Sequence, residues 1–129
     1  MSDSLTTLCS FLDASLAIDV WRNHLPAGYL NTTAACVVSI TSDRRHQSKA
    51  SRDVFFEVRV YGGTQKSTDA ATTAETIIDA LNNACDHSRS IQRIGEIGGQ
   101  ELPPELVTGW PSYRITGRAL INTATTSGT

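Results

Sequence analysis

A chain of 129 residues with 40% hydrophobic content has the size and core-forming capacity of one domain. Its formal net charge of -2 argues against a general polyanion binder, and the low aromatic content (6%) means a mostly aliphatic core. Cys9, Cys36 and Cys85 are odd in number, widely spaced and set in apolar stretches, so they read as buried, reduced thiols rather than a disulfide framework. No N-terminal segment joins a basic start to an apolar run and a small-residue cleavage site, and no apolar run approaches the roughly 20 residues of a membrane span. The expectation is a soluble protein made in a reducing compartment.

In chain order, Asp3 or Ser4 can cap a first helix, whose apolar stripe is Leu5, Leu8, Cys9, Leu12 and Leu16 and which should end near Ser15 to Ala17. Ala17 to Arg22 reads as a short strand, Ile18 and Val20 alternating with Asp19 and Trp21. Pro26 and Gly28 make residues 25–33 a loop, and the β-branched run Ala34 to Thr41 reads as a central strand. The segment SDRRHQSKASR, Ser42 to Arg52, holds no apolar residue larger than alanine. Between two strands, such a stretch reads as the functional or mobile tip of a long hairpin.

Residues 53–86 carry the clearest pattern. In DVFFEVRVY, Val54, Phe56, Val58 and Val60 face one way and Phe55, Glu57, Arg59 and Tyr61 the other, as in a strand with one well-buried face. Gly62 and Gly63 permit a sharp reversal. Ser67 or Thr68 can cap the next helix, with Asp69 suited to its first turn. Ala70, Ala74, Ile77, Ile78, Leu81, Ala84 and Cys85 share one helical face, opposite Thr72, Glu75, Thr76, Asp79, Asn82, Asn83 and Asp86. Ile91 to Ile97 is a weak strand interrupted by Gly95. Gly98 to Pro111 is rich in glycine and proline and should be irregular. Tyr113 to Asn122 forms a last strand with Tyr113, Ile115, Ala119 and Ile121 on one face. The order α-β-β-β-α-β-β implies a single α+β domain over residues 1–122, a mixed sheet of about five strands covered by two helices. The polar tail 123–129 should be disordered.

Chemistry is hard to find in these residues. GGTQKST, residues 62–68, sits where a phosphate loop would, but Gln65 and Val60 occupy the two positions where that motif needs glycine, so a tight turn before a helix is the better reading. His24, His46 and His87 are not spaced for a shared metal site. Glu75 and Asp79 stand one turn apart and could in principle do acid–base work, but an exposed acidic face is far commoner. Arg44, Arg45, His46, Lys49 and Arg52 form either a solvated loop or a contact to phosphates or an acidic neighbour, a protein partner being favoured over DNA by the net charge; no interleaved aromatic residue supports stacking on single-stranded nucleic acid. No catalytic, cofactor or metal site is expected.

The stretch RDVFFEVRVYGGTQKSTDAATTAETIIDALNNA, with the closing YRITGRALI, resembles the tail-terminator and tail-completion proteins of long-tailed bacteriophages and the related minor capsid and neck proteins. The likeness spans roughly residues 3–122. It implies a structural virion protein at the tail–neck junction, assembled in the host cytoplasm, with no turnover and no cofactor. Such proteins form a ring, usually a hexamer, that caps the tail tube and meets the head connector, with DNA only passing through the lumen and no membrane involved.

In that setting Arg44, Arg45, Lys49 and Arg52 are expected to contact a neighbouring subunit or the tail partner rather than an intramolecular site. The acidic helix face of Glu75, Asp79 and Asp86 could receive them in the next subunit, since head-to-tail contacts close into rings. Two other classes stay open: a small α+β enzyme, and a nucleic-acid-binding module using Phe55 and Tyr61 on one strand face.

Overall fold

The computed structural model describes residues 4–45, 51–84 and 91–122. His46, Lys49, Cys85, Asp86, His87 and the tail 123–129 lie outside them. The elements are α1 (Ser4–Ser15), β1 (Asp19–Arg22), β2 (Ala35–Arg45), β3 (Ser51–Tyr61), α2 (Ser67–Asn82), β4 (Ile91–Leu102) and β5 (Ser112–Asn122). They form the expected α+β architecture, with one five-stranded mixed sheet in the order β1-β2-β3-β5-β4. Only β1 and β2 run parallel; the other neighbours are antiparallel.

Alternation decides which residues form the core. Val54, Phe56, Val58 and Val60 of β3 are all buried, beside Cys36 and Val38 of β2 and Ile115, Ala119 and Ile121 of β5. Both helices lie on that face. α1 packs over β1 and β2, and α2 over β3, β5 and β4. Leu8 and Leu12 enter the core from α1, and Ala70, Ala74, Ile77 and Leu81 enter it from α2. Each full burial of a large aliphatic side chain contributes about 1.5–3 kcal/mol relative to exposure. Phe11 is buried as well, so the inward face of α1 is wider than the leucine stripe implied.

The Gly62–Gly63 reversal is required on two counts. Gly63 has φ +81°, and a Cβ there would lie 2.7 Å from the Ala34 nitrogen; a Cβ on Gly62 would lie 2.5 Å from the Ala70 nitrogen. The turn is thus wedged between the loop before β2 and the first turn of α2.

Several boundaries differ from the sequence reading. β1 starts at Asp19 rather than Ala17. β2 continues through the polar residues to Arg45, paired with Arg52, so residues 42–45 and 51–52 belong to paired strands. α2 begins at Ser67 with Lys66 as N-cap and no capping side chain, so neither Ser67 nor Thr68 caps it. The nearby Thr64 hydroxyl instead lies 2.6 Å from the Asp69 carboxylate and accepts from the Lys66 N–H. β4 runs on to Leu102 because β5 supplies a complete partner for it, and Gly99 leaves room for the Tyr113 ring, which a Cβ would approach to 2.7 Å.

Candidate assembly surface

The helices leave the second face of the sheet open. By register it carries Val37 and Ser39 of β2, Asp53, Phe55, Glu57, Arg59 and Tyr61 of β3, and Arg114, Thr116, Arg118 and Leu120 of β5. Such a face usually meets water and reads as polar, and much of this one does. Arg118 makes a two-pronged bond to Asp53, at 2.7 and 2.6 Å, reaches Glu96 at 4.0 Å, and lies over the Phe55 ring at 5.4 Å from its centroid. The Asp53 contact chiefly, and Glu96 to a lesser degree, hold the Arg118 guanidinium even more firmly protonated than usual.

Two irregularities meet on one line across this face. β2 carries an extra residue, Thr41, opposite the Phe55–Phe56 step of β3. β4 carries Glu96 and Ile97 between Gly95 and Gly98, opposite the single residue Gly117 of β5. Glu96 has φ +55°, as bulged strands often require. Gly117 has no side chain because the Phe56 ring occupies that space; a Cβ would lie 2.7 Å from its Cζ. Beside these bulges lies a shallow cleft of about 150 Å³, lined by Thr41, Phe55, Phe56, Glu96, Thr116 and Gly117.

The sequence-predicted interface residues lie elsewhere. Arg44 is exposed near the end of the β2–β3 hairpin. Arg45 is the last residue of β2, opposite Arg52. Arg52 pairs within the same hairpin with Asp43 at 3.2 Å. Antiparallel pairing brings these two residues together, which a reading of the segment as free loop could not anticipate. Glu75 and Asp79 are exposed on the outer face of α2. Lys49 and Asp86 lie outside the described residues. Among the described residues no ion pair joins the hairpin to α2.

Two features escaped the sequence reading. Tyr29, Tyr61 and Trp110 form an edge-to-face triangle with centroids 5.6–6.2 Å apart. It fixes the loop after β4 against the end of β3, and the Tyr61 hydroxyl donates to Glu105 at 3.1 Å. Burial and the Glu105 carboxylate raise the Tyr61 pKa; burial first, then Tyr61 and Asp19, raise that of Tyr29 to about 12. Asn31, buried with φ +55°, donates to the Thr64 carbonyl at 2.8 Å and accepts from the Gly63 N–H at 3.1 Å. Asparagine tolerates that backbone region, so a lone loop asparagine was a weak available signal. Cys9 and Cys36 are buried free thiols, as expected, and burial with the neighbouring Cys9 pushes the Cys36 thiol up to about 12. Among the described residues no three potential ligands gather for a metal, and no helix is long and apolar enough to cross a membrane.

No protein-family model matches this chain, and no curated protein sequence matches it. Among solved structures it is similar to the PVC sheath/tube terminator of an extracellular contractile injection system, in its extended state. That similarity is distant, with 12% identity and a TM-score of 0.44. It covers 90% of this chain and 54% of the other, so this chain spans about half the length of that terminator.

Proposed function

We propose that this chain is a structural tail-terminator protein of a long-tailed bacteriophage, working as a closed ring, most simply a hexamer, that caps the tail tube and meets the head connector. The observation that supports the reading is architectural. The α-β-β-β-α-β-β order read from the residues runs through the described residues, with both helices on one face of the sheet. On this reading the chain turns over no substrate. Its partners are further copies of itself, the tube protein and the connector, and DNA passes through the lumen without being read. It resides in the tail–neck region of the virion after assembly in the host cytoplasm.

A ring needs two different patches on each subunit that fit one another head to tail. Arg44 and Arg45 at the end of β2, against Glu75 and Asp79 on α2, supply charges of opposite sign at separate places; Lys49 and Asp86, expected to join them, lie outside the described residues. Exposed pairs contribute only about 0–1 kcal/mol each, so their main effect is on register and encounter rate. Native mass spectrometry across a concentration series, with electron microscopy of tails assembled with and without the chain, tests the proposal. Monomers and one closed ring are expected, with the ring at one end of each tube. A stable two-fold dimer as the sole assembled species, or tails of normal length and ending without the chain, would refute it.

A further inference from the structure

The middle of the open sheet face holds hydrogen-bond donors in surplus. Among the described residues, three buried side-chain polar atoms have no hydrogen-bond partner: the Ser4 Oγ at the start of α1, the Trp21 Nε1 and the Arg59 Nε. The last two share one row across the sheet. Trp21 of β1 lies beside Val37 of β2, Val37 is opposite Arg59 of β3, and Arg59 is opposite Arg114 of β5. Indole and guanidinium nitrogens only donate. Buried polar groups nearly always have a partner, so two unpartnered donors in one row call for an explanation.

The charges in that row are also incompletely matched. Arg59 and Arg114 stand directly opposite one another, and like charges so placed weaken a sheet. Glu57 approaches the Arg59 guanidinium only to 3.9 Å, too far for a hydrogen bond. Arg114 donates to the neutral Gln100 side-chain oxygen at 2.9 Å. The Glu105 carboxylate is already taken by the Tyr61 and Thr108 hydroxyls. Beside Arg59 lies a recess of about 320 Å³, whose lining includes Asn23, His24, Ser39, Glu57, Arg59 and Tyr61. Asn23, with φ +65°, turns the chain after β1 so that residues 23–25 form one wall of it.

We propose that this recess binds a carboxylate group, gripped by the Arg59 guanidinium with the Arg114 charge beside it. The Arg59 side chain is 39% exposed, and its loose contact with Glu57 leaves the end of the arm free to turn. Turned further into the recess, Nε and one amino nitrogen form the planar fork that matches two carboxylate oxygens. The bound group gives the unpartnered Nε an acceptor and offsets the repulsion between the two guanidinium groups. Glu57 opposes a doubly charged anion at the same place, so a singly charged carboxylate suits the recess better than a phosphate. The carboxylate comes either from a small organic acid or from an acidic side chain of a neighbouring copy. The site does not depend on the ring reading.

Sodium glutarate is titrated into the isotope-labelled chain, with sodium chloride at matched ionic strength as the reference, and the side-chain N–H signals of Arg59 and Trp21 are followed by nuclear magnetic resonance. The Arg59 Nε–H signal should move saturably, with half-saturation at about 1–10 mM, as a single exposed charge pair allows. Arg59→Gln should weaken binding at least tenfold, read from the Trp21 signal, and Arg59→Lys, which keeps the charge without the fork, by less. Arg93→Gln, an exposed arginine elsewhere on this face, should bind as the parent does. Shifts that follow ionic strength alone, or equal binding by Arg59→Gln, would overturn the site. Phosphate binding as tightly as glutarate would overturn the carboxylate assignment. Native mass spectrometry at saturating glutarate then separates the two sources. Dissociation of assembled copies assigns the natural carboxylate to a neighbouring chain, and unchanged assembly assigns it to a small acid. A chain that forms rings and caps tails but does not bind glutarate would overturn this site while leaving the tail-terminator proposal standing. Saturable binding by a chain that never caps tails would do the reverse.

Discussion

Gly63→Ala should be among the most damaging single-methyl changes in this protein. At φ +81° an alanine meets the left-handed penalty of about 1–2 kcal/mol. Its Cβ would also lie 2.7 Å from both the Ala34 nitrogen and the Thr33 carbonyl carbon. These are backbone atoms, which cannot rotate aside, and overpacking of this kind costs about 1–3 kcal/mol. The reduced freedom of the unfolded chain returns about 0.4–1 kcal/mol. The net loss is about 1–5 kcal/mol, and at roughly 3–6 °C per kcal/mol for a domain of this size the thermal midpoint should fall by about 3–28 °C. Gly28→Ala is the control, since a Cβ there meets nothing within 4 Å and the backbone is not left-handed. That change should leave the midpoint unmoved or raise it slightly. Calorimetry or circular dichroism melts of the two variants decide the matter. Indistinguishable midpoints would mean that the β3–α2 turn does not pack against the loop before β2 as described.

Leu81→Ala and Leu12→Ala, at residues 1% and 0% exposed, should each cost about 2–5 kcal/mol in denaturant unfolding. An unchanged Leu81→Ala midpoint would displace α2 from the sheet. Cys36, with its thiol pushed up to about 12, and the buried Cys9 should resist alkylation in the native protein and react at once on unfolding, as peptide mapping can read. The Tyr29 phenol is raised from 10.0 to about 12 in the fold, so its contribution to stability is complete below pH 10 and is lost as pH climbs through 12. Melts across that window should fall less steeply in Tyr29→Phe. Changing Arg44, Arg45 and Lys49 together to glutamate should leave the monomer folded and weaken ring assembly, with partial recovery when Glu75 and Asp79 are changed to lysine. Normal assembly of the triple variant at the parent's salt dependence would dismiss the charge pairing.

Local periodicity was enough to establish much of this fold. The alternation at Val54, Phe56, Val58 and Val60, the spacing of Ala70, Ala74, Ile77 and Leu81, and the Gly62–Gly63 break each follow from backbone geometry that repeats every two or 3.6 residues. Element order, the five-stranded sheet and the burial of Leu12 and Leu81 were therefore legible without coordinates. What depends on partners distant in sequence was not. β4 looked irregular beyond Ile97 because its glycines carry no strand propensity, and pairing with β5 overrides that weakness. The Arg52–Asp43 pair became visible only once β2–β3 pairing placed the two side by side. Bulges in β2 and β4, far apart in the chain, fall on the same line across β3 and β5, beside the shallow cleft. No local pattern encodes that coincidence, because register between strands is set by the whole buried face at once.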